Sequence, residues 1–427
     1  MDTRTNDSCS LQRVAALLVC MIVLNINTVF SQITSGTDRN TSLKTGSQNE
    51  CAIAKNPTNV LQLFTACNNN GPGLYAARST DGGLTWIYPD PADKTIADGD
   101  ANQGPAAFCD PTLAWDEFGN LFIAYISAAA SDIVVILSTD GGATFTNVTT
   151  FGPASVDQPT ITAAAGQVWV IWNQAGSMVA RGAAVTGLGT VGAFNALQNI
   201  PGTSSCSFGD IAISPGGAVC QVCQTLTNEG PGTIRANIDA DGLGAGNFGA
   251  SIVVTTTNVG AFDGIPAQNT REIDAEAGLA YDRNLDSDHP GRLYIVYTDE
   301  VTDESNNTDI MLRFSDDDGG TWSAAQRVND DPAAPVRSQF LPRIASNPIS
   351  GNVGITWFDC RNSAANNTIQ IFATLATPTG ASPTFLPNQP ISDGTSNGNG
   401  DASMQYGDYN GMAYFQGIIH PVWPDNS

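Results

Sequence analysis

The sequence predicts an all-β chain folded as a β-propeller of four-stranded blades, with seven blades favoured and six as the alternative. Three observations support this fold class. An Asp-Gly turn motif occurs three times, strand-like segments recur about every sixty residues, and no convincing amphipathic helix interrupts them. Repeats of this length that each hold four short strands are typical of blades arranged around an axis. A set of β-sandwiches is the other option, and the steady period disfavours it.

The turn motif has the pattern Ser-x-Asp-Gly-Gly-x-Thr followed by an aromatic residue, with one inserted residue in the third copy. Asp bonds its own backbone and Gly accepts positive φ, so the motif predicts a tight turn. Each copy follows a β-rich run, which indicates a hairpin turn between two strands. We therefore interpret Asp81, Asp140 and Asp317 as turn formers. The three copies are Ser79–Trp86, Ser138–Phe145 and Ser315–Trp322.

Seven segments predict the first strand of a repeat, because each has Ile, Leu or Met followed by Ala or Thr. They begin at Ile53, Leu113, Ile161, Ile211, Leu279, Ile344 and Met412. An aromatic-rich second strand follows each of them, as in Asn120–Tyr125 and Arg292–Tyr297. Seven first strands favour seven blades. The last repeat has only two strands, so we expect the leader to supply an outer strand that closes the ring. Six blades with an extra hairpin is the alternative.

The N-terminus predicts a secretion signal. Arg4 and Arg13 give a basic start, Val14–Leu24 is apolar, and small residues precede a cleavage site after Ser31. A membrane anchor is the alternative, but the apolar run is short for a span. We therefore expect a secreted or cell-surface protein with no span after signal removal. The predicted division is a signal peptide (1–31), a leader (32–48) and a propeller (49–427).

Composition narrows the classes of partner. The chain carries 41 acidic and 17 basic residues, for a net charge of −24. A nucleic-acid partner is therefore not expected, because neutralising phosphates needs clusters of Lys and Arg. Only two histidines are present, which disfavours Ser-His-Asp catalysis.

Cysteine usage fits an exported chain. Of nine cysteines, Cys9 and Cys20 lie in the predicted signal. Cys51–Cys67 is a plausible local disulfide, and Cys206 can pair with Cys220 or Cys223. The spacing of Cys220 and Cys223 also suits zinc, but there is no second Cys pair, so zinc is not expected.

The turn motif resembles the Asp box of the sialidase (neuraminidase) superfamily and related propellers. The resemblance covers Glu50 to Asp425 in fold terms and implies a propeller rather than a particular activity, because Asp boxes also occur in propellers with other functions. One family feature is missing. The Arg-Ile-Pro-type motif that precedes the first Asp box is replaced here by Glu50-Cys-Ala-Ile-Ala54.

Propeller topology gathers acidic residues at one end of the axis, which we call the mouth: the end where first strands begin and second strands end. Acids before first strands are Glu50, Asp110, Asp157, Asp210, Asp274, Glu276 and Asp408, and polar residues after second strands are Asn173, Asp299, Asp359 and Asp425. Crowded carboxylates raise one another's pKa or attract a cation. They can serve as catalytic acid and base, as calcium ligands, or as turn caps.

The resemblance also implies roles for individual residues. Sialidases hold the substrate carboxylate with three arginines, and the matching candidates are Arg271, Arg343 and Arg361. Tyr409 with Glu276 would be the nucleophile pair, as the family's tyrosine and glutamate are. Asp110 or Asp157 would be the acid/base, and Asp359 and Asp408 would help to bind substrate. Pairing of the arginines with neighbouring acids is the structural alternative.

The functional prediction is a secreted, sialidase-like exo-glycosidase that acts on extracellular acidic carbohydrate or glycoconjugates. No cofactor is expected to be required, with calcium as an option; the loop Asp241–Gly246 could bind it. One alternative is a non-catalytic propeller that binds glycan or protein, with calcium or turn caps at the mouth. Another is a polysaccharide lyase with Tyr409 or His289 as its base.

Overall fold

The computed structural model describes residues 33–401 and 404–426. The predicted signal peptide lies outside these residues. The described chain is almost entirely β-structure, with one short 3-10 helix at Gly398–Gly400. No helix among the described residues is long and apolar enough to cross a membrane.

Six antiparallel sheets of four consecutive strands form the blades. The first blade contains β1 (Ala52–Lys55), β2 (Leu63–Asn68), β3 (Leu74–Ser79) and β4 (Thr95–Ile96). The second contains β5 (Ala107–Trp115), β6 (Leu121–Ser127), β7 (Ile133–Ser138) and β8 (Thr146–Phe151). The third contains β9 (Val156–Ala164), β10 (Gln167–Gln174), β11 (Ser177–Gly187) and β12 (Thr190–Val191), and β13 (Gln198–Asn199) also pairs with β11.

The fourth blade contains β14 (Cys206–Ile213), β15 (Val219–Thr225), β16 (Gly232–Asp239) and β17 (Ile252–Thr257). A separate hairpin follows, β18 (Asp263–Ile265) and β19 (Gln268–Ile273). The fifth blade contains β20 (Gly278–Tyr281), β21 (Leu293–Glu300), β22 (Thr308–Ser315) and β23 (Gln326–Arg327). The sixth contains β24 (Gln339–Ser346), β25 (Val353–Asp359), β26 (Gln370–Thr377) and β27 (Thr384–Phe385), and β28 (Gln389–Pro390) also pairs with β26.

The seventh repeat is a two-stranded sheet of β29 (Gly411–Phe415) and β30 (Ile418–Val422). β29 packs against both β24 and β1, so this hairpin lies between the last blade and the first. The favoured prediction of seven four-stranded blades is therefore wrong, and the six-bladed alternative with an extra hairpin is confirmed. Counting first strands overestimated the blades because the seventh first strand belongs to a hairpin.

The leader does not supply the expected outer strand, because residues 33–48 contain none. Hydrogen bonds hold it to both sides of the ring closure instead. Lys94 Nζ, in the first blade, donates to the carbonyl oxygen of Leu43 at 2.6 Å. At the other side, the amide of Asp38 donates to Asp393 at 2.9 Å.

The hydrophobic core lies between adjacent blades, and the Asp boxes help to join them. The box aromatic Phe145, in the second blade, contacts Phe64 of the first blade with ring centroids 5.5 Å apart. Trp322 packs on a cluster that includes residues of the fourth blade, and Trp86 packs on a cluster that includes Ala413 of β29. Each box aromatic therefore fastens its blade to the preceding repeat, where burial of apolar area stabilises the ring.

The Asp boxes form the predicted turns. Asp140 Oδ1 accepts hydrogen bonds from Ser138 Oγ at 2.8 Å and from the amide of Thr144 at 3.0 Å. Its Oδ2 accepts from Thr144 Oγ1 at 2.7 Å, and the boxes of Asp81 and Asp317 repeat this pattern. Strand pairing places Ser79 beside the start of β2 and thus at the end of β1 remote from Glu50. The boxes therefore lie on the face opposite the mouth.

Candidate functional site

The mouth is built by one backbone feature that every repeat shares. A residue with left-handed φ, between +41° and +77°, stands at or just before each innermost strand. In four blades the inner pair also shows a register shift nearby, as a β-bulge does. A bulge of this kind re-aims the side chains beside it. The seven residues are Glu50, Asp110, Gln158, Phe208, Glu276, Leu341 and Gly407.

The first acidic cluster surrounds Arg271, which lies on the inserted strand β19. Its Nε donates to Asp408 Oδ1 at 2.6 Å and its Nη2 donates to the other oxygen of Asp408. The same Nη2 lies 3.3 Å from Glu50 Oε1. Glu50 is buried and Asp408 nearly so, whereas a third of the Arg271 side chain is exposed. One guanidinium therefore joins acids of the first and seventh repeats.

Glu50 and Asp110 interact directly, and burial raises the pKa of both carboxyl groups. Burial raises the pKa of Glu50 well above its usual range, the charges of Asp110 and Asp408 add to this, and Arg271 acts in the opposite direction. Burial also raises the pKa of Asp110. Asn68 supports the pair, since its side chain donates to Glu50 and accepts from the Asp110 amide at 2.7 Å. Burial therefore favours the protonated forms of this pair.

Tyr409 lies beside this carboxyl pair. Its hydroxyl donates to the carbonyl oxygen of Pro111 at 3.3 Å. Burial raises its pKa well above 10, and the nearby charges of Asp110 and Glu50 raise it further. The phenol is therefore neutral at ordinary pH, and Asp110 and Glu50 are the carboxyl groups whose charges act on it most strongly.

The second acidic cluster surrounds Arg343 of β24. Its Nη1 donates to Glu276 Oε1 at 3.0 Å. Burial raises the pKa of Glu276 to about 7, Arg343 opposes this, and Asp210 and Asp408 add to it. The pKa of Asp274, fully buried beside Glu276, is also raised well above its usual range. Asp210 Oδ2 accepts from the amide of Leu279 at 2.7 Å, which ties blades four and five together.

Asp408 connects the two clusters electrostatically. Its charge raises the pKa of groups contributed by five parts of the ring, namely Glu50, Asp110, Asp157, Asp274, Glu276 and Tyr409. Asp157 is open to solvent, yet desolvation by its surroundings and the charges of Asp110 and Asp408 raise its pKa to about 6. The predicted gathering of acids at one end of the axis is thus present.

Other predicted partners are not brought together. Tyr409 and Glu276 make no hydrogen bond, because Tyr409 faces Pro111 and Glu276 is paired with Arg343. The predicted nucleophile pair is therefore not formed.

Arg361 is not part of an arginine triad either. It pairs with Asp330 at 2.7 Å and with Asp359 at 2.8 Å, and its guanidinium stacks 4.1 Å from the Phe372 ring centroid. Asp359 also accepts from Trp357 Nε1 at 2.8 Å. The two predicted substrate-binding residues Arg361 and Asp359 thus form a structural network of the sixth blade. The arginine motif is missing at Glu50, so Arg271 and Arg343 are the arginines at the mouth among the described residues.

His289 is not a base at the mouth. Its Nδ1 lies 2.9 Å from Arg292 Nη2 and its Nε2 lies 2.6 Å from the carbonyl oxygen of Gly380. It belongs to the loop that joins the first and second strands of blade five, on the Asp-box face. A cavity of about 260 Å³ opens beside this loop and is lined by Ser214, Pro215, Leu285, Pro290, Asp316 and Asp318. That cavity is remote from the mouth acids.

Sequence reasoning missed an amide and an aromatic pair beside the acids. Gln158 Nε2 donates to Asp408 Oδ2 at 3.2 Å, and its Oε1 accepts from the amide of Phe208 at 3.2 Å. The Phe208 ring meets Phe262 edge-on at a centroid distance of 5.7 Å, and 43% of Phe262 is exposed. No sequence motif marks these residues. Gln158 and Phe208 occupy the same left-handed backbone position in their repeats as Glu50 and Asp110 do in theirs, and that equivalence is visible in the structure.

The disulfides follow the sequence prediction. Cys51 pairs with Cys67, and Cys206 pairs with Cys223, which leaves Cys109, Cys220 and Cys360 free. No group of three or more His, Cys, Asp or Glu side chains in the part of the chain described here is already arranged around a metal position.

Fold and site together define the class: an Asp-box β-propeller with an acidic axial mouth. No protein-family model and no curated protein matches the chain. Among solved structures it is similar to the α-L-arabinofuranosidase Arb93A of Fusarium graminearum, at 12% identity and TM-score 0.47, covering 77% of this chain and 92% of that one. It is also similar to the intramolecular trans-sialidase of Ruminococcus gnavus, at 14% identity and TM-score 0.41, covering 93% of this chain and 94% of that one. A third similar structure is the Aleuria aurantia lectin, at 12% identity and TM-score 0.43, covering 82% of this chain and 97% of that one.

Proposed function

We propose that this chain is a secreted, glycan-directed glycoside hydrolase whose active site is the acidic mouth. The observation that carries the proposal is the position of Asp408, whose charge acts on carboxyl groups from separate repeats around the axis. Glycoside hydrolysis needs one carboxyl group that keeps its proton and another that is ionised. Acids meet at one end of the axis in surroundings that differ in burial and in nearby charge. Such differences separate their pKa values, which supports that chemistry.

Glu276 is the proposed proton donor and Asp408 the proposed carboxylate. Glu276 is buried and has a pKa of about 7, so it holds a proton over much of the neutral range. Asp408 is held in a two-point ion pair with Arg271. Tyr409 supports a second route. Its oxygen attacks the anomeric carbon while Asp110 or Glu50 accepts the phenolic proton, the glycosidic bond breaks, and Glu276 gives its proton to the leaving oxygen; water then releases the sugar from Tyr409. Both routes use the same mouth.

The acidic sugar expected from the sequence is less well supported than a neutral one. Seven carboxyl groups face two arginines at the mouth, and both arginines are already engaged by Asp408, Glu50 and Glu276. An anionic ring would meet like charges and would have to displace an ion pair. We therefore propose a neutral glycan as the substrate class.

The test is hydrolysis of a panel of fluorogenic glycosides, with neutral pentosides and hexosides beside a sialoside and a glucuronide. We expect turnover of a neutral glycoside, reduced about 100-fold or more in Asp408→Asn. Asp100→Asn removes an exposed acid of the first blade and should retain full activity. Preference for the sialoside, lost in Arg343→Ala, would restore the acidic-sugar prediction. No turnover across the panel would sink the enzyme proposal.

A non-catalytic glycan-binding propeller is the second candidate, and the aromatic pair favours it. Phe262 is partly exposed and supported from behind by Phe208, a platform on which the apolar face of a sugar ring can rest. Binding without turnover on a glycan array, weakened by Phe262→Ala, would support this reading.

A further inference from the structure

The Asp-box face carries exposed apolar side chains near the axis, on the side of the ring opposite the mouth. The loop that joins the first and second strands of each repeat lies on this face. Five of these loops hold, or are directly followed by, a large apolar residue whose exposed fraction is between 37% and 72%. We call these residues the apolar tips: Leu61, Phe118, Leu285, Ile349 and Ile418.

Contacts between neighbouring repeats hold these loops together around the axis. The amide of Gly166 donates to Glu117 Oε1 at 2.6 Å, which joins the loops of the second and third repeats. Gln167 Nε2 donates to the carbonyl oxygen of Gly217 at 3.1 Å, which joins the third and fourth. Close contacts join the remaining neighbours, namely Arg283 with Ile213, Asp282 with Gly351, Ile419 with Gly354, His420 with Gly82 and Thr58 with Gly119. The apolar tips therefore lie on one continuous surface.

This surface is also acidic. Six exposed acids lie in the loops and in the adjoining third Asp box: Glu117, Asp286, Asp288, Asp316, Asp317 and Asp318. No Lys or Arg side chain is exposed in these loops and boxes, all of which the structure describes, because Arg292 is buried in an ion pair with Asp316 and Arg283 is half-buried. A second copy of this chain, whose net charge is −24, would meet like charges here. The charge of the surface favours a cationic partner.

The cavity of about 260 Å³ opens between two of these loops, and its lining suits one long cationic side chain. Pro215, Leu285 and Pro290 give it apolar walls, and Asp316 and Asp318 add carboxylates. Asp318 forms no ion pair in the described chain. Lys and Arg pack their aliphatic stems on apolar surface while the charged head stays beside polar groups. Walls and carboxylates of this kind match both parts of such a side chain.

We propose that this face is a docking surface for a basic protein segment with apolar side chains. The segment places a Lys or Arg side chain in the cavity, between Leu285 and Asp318, and rests its apolar side chains on the apolar tips. Exposed apolar surface rimmed by polar residues is typical of interaction sites. The mouth lies at the other end of the axis, so docking and glycan binding use separate surfaces. The inference does not depend on the proposed hydrolase activity.

The test is calorimetric titration of the purified chain with a peptide probe of alternating Lys and Leu. Matched peptides carry Glu in place of Lys, or Ser in place of Leu. We expect saturable binding of the Lys–Leu peptide alone, weakened by salt because exposed charges contribute. Leu285→Ser and Phe118→Ser should each weaken binding about tenfold or more. Asp318→Asn should weaken it and reduce its dependence on salt.

Leu43→Ser is the matched control, because Leu43 is 70% exposed but lies in the leader, outside the apolar tips. This variant should bind the probe as the wild type does. Absence of binding, equal binding of the Glu–Leu peptide, or an equal loss in Leu43→Ser would overturn the proposal. Two other occupants are checked with the same variants. A dimer in sedimentation experiments, or binding to phosphatidylcholine vesicles, that is lost in Leu285→Ser would overturn it in favour of self-association or a lipid surface.

Discussion

Arg271 Nε donates to Asp408 Oδ1 at 2.6 Å across a sequence separation of 137 residues. Neither residue belongs to a four-stranded blade: Arg271 lies on the hairpin inserted after blade four, and Asp408 precedes the two-stranded seventh repeat. The two irregular parts of the ring therefore meet at the axis, where they join the acids of the regular blades. Irregular elements, rather than blades, supply the central ion pair of the candidate site.

Replacing Arg271 by Ala should destabilise the protein at neutral pH. The change leaves buried Glu50 and nearly buried Asp408 without their guanidinium. We expect a loss of about 2 kcal/mol in the free energy of unfolding, below the ~3–5 kcal/mol of a fully buried pair, because part of Arg271 is solvated. Urea denaturation at pH 7 measures this loss.

The same variant should lose less stability in acid, where protonated carboxyls no longer need the guanidinium. Arg235→Ala provides the matched control, since Arg235 forms no ion pair in the described chain. Equal losses for Arg271→Ala at pH 4.5 and pH 7 would contradict the electrostatic explanation.

Glu276 should make stability fall as pH rises. Its pKa moves from 4.5 to about 7 on folding, so between these values the folded state holds a proton that the unfolded chain has released. The free energy of unfolding therefore decreases through this window by up to about 1.4 kcal/mol per pH unit. Glu276→Gln should flatten that part of the profile, measured by urea denaturation from pH 4 to pH 8.

Asp157→Asn is the comparison for Glu276→Gln. The pKa of Asp157 moves from 3.8 to about 6, so its substitution should flatten the profile at lower pH and leave the region between pH 6 and 7 nearly unchanged. If the two variants altered the same pH range to the same extent, these separate assignments would be wrong.

Asp140→Ala should weaken the ring without affecting the mouth. The change removes the acceptor of four hydrogen bonds in the second Asp box. We expect the melting temperature to fall by about 2–5 °C, with glycan turnover or binding unchanged, because the box lies on the opposite face. Thr139→Ala alters the same turn outside this hydrogen-bond network and should have little effect. A loss of function in Asp140→Ala at temperatures where it is folded would contradict the structural role.

The Cys51–Cys67 disulfide should stabilise both the fold and the mouth. Cys51 follows Glu50 in the sequence and Cys67 precedes Asn68, and the Asn68 side chain donates a hydrogen bond to Glu50. Replacing both by Ser should cost about 3 kcal/mol, as expected for a closed loop of this length. Cys109→Ser removes a free thiol and is the control. Denaturation without reductant measures the difference, and an unchanged midpoint in the double variant would contradict the prediction.

Local sequence patterns were sufficient for the strands and turns. Alternating apolar segments located the first and second strands of all seven repeats, from Ile53 in β1 to Met412 in β29. The Asp-Gly chemistry of the boxes located the turns, because Asp and Gly specify such a turn through their own backbone bonds. Blade number was harder to predict, since a hairpin such as β29–β30 begins with the same strand pattern as a blade.

The sequence predicted where the acidic residues of the site lie, but it did not predict which arginine pairs with which acid. The start of each inner strand placed Glu50, Asp110, Glu276 and Asp408 at the mouth. Which arginine meets which acid depends on side-chain direction, and the left-handed residue before each strand changes that direction. Arg361, which the pattern placed near the mouth, turns instead toward Asp330 and Phe372.

The sequence by itself determined the repeat, the Asp-box turns, the β-strands and the concentration of acids at one end of the axis, because each of these follows from local periodicity and residue chemistry. Only the tertiary structure decided that six blades and a hairpin close the ring and that Arg271 joins Asp408 and Glu50. Those outcomes depend on contacts between residues far apart in the chain, where burial and charge act through space rather than along the sequence.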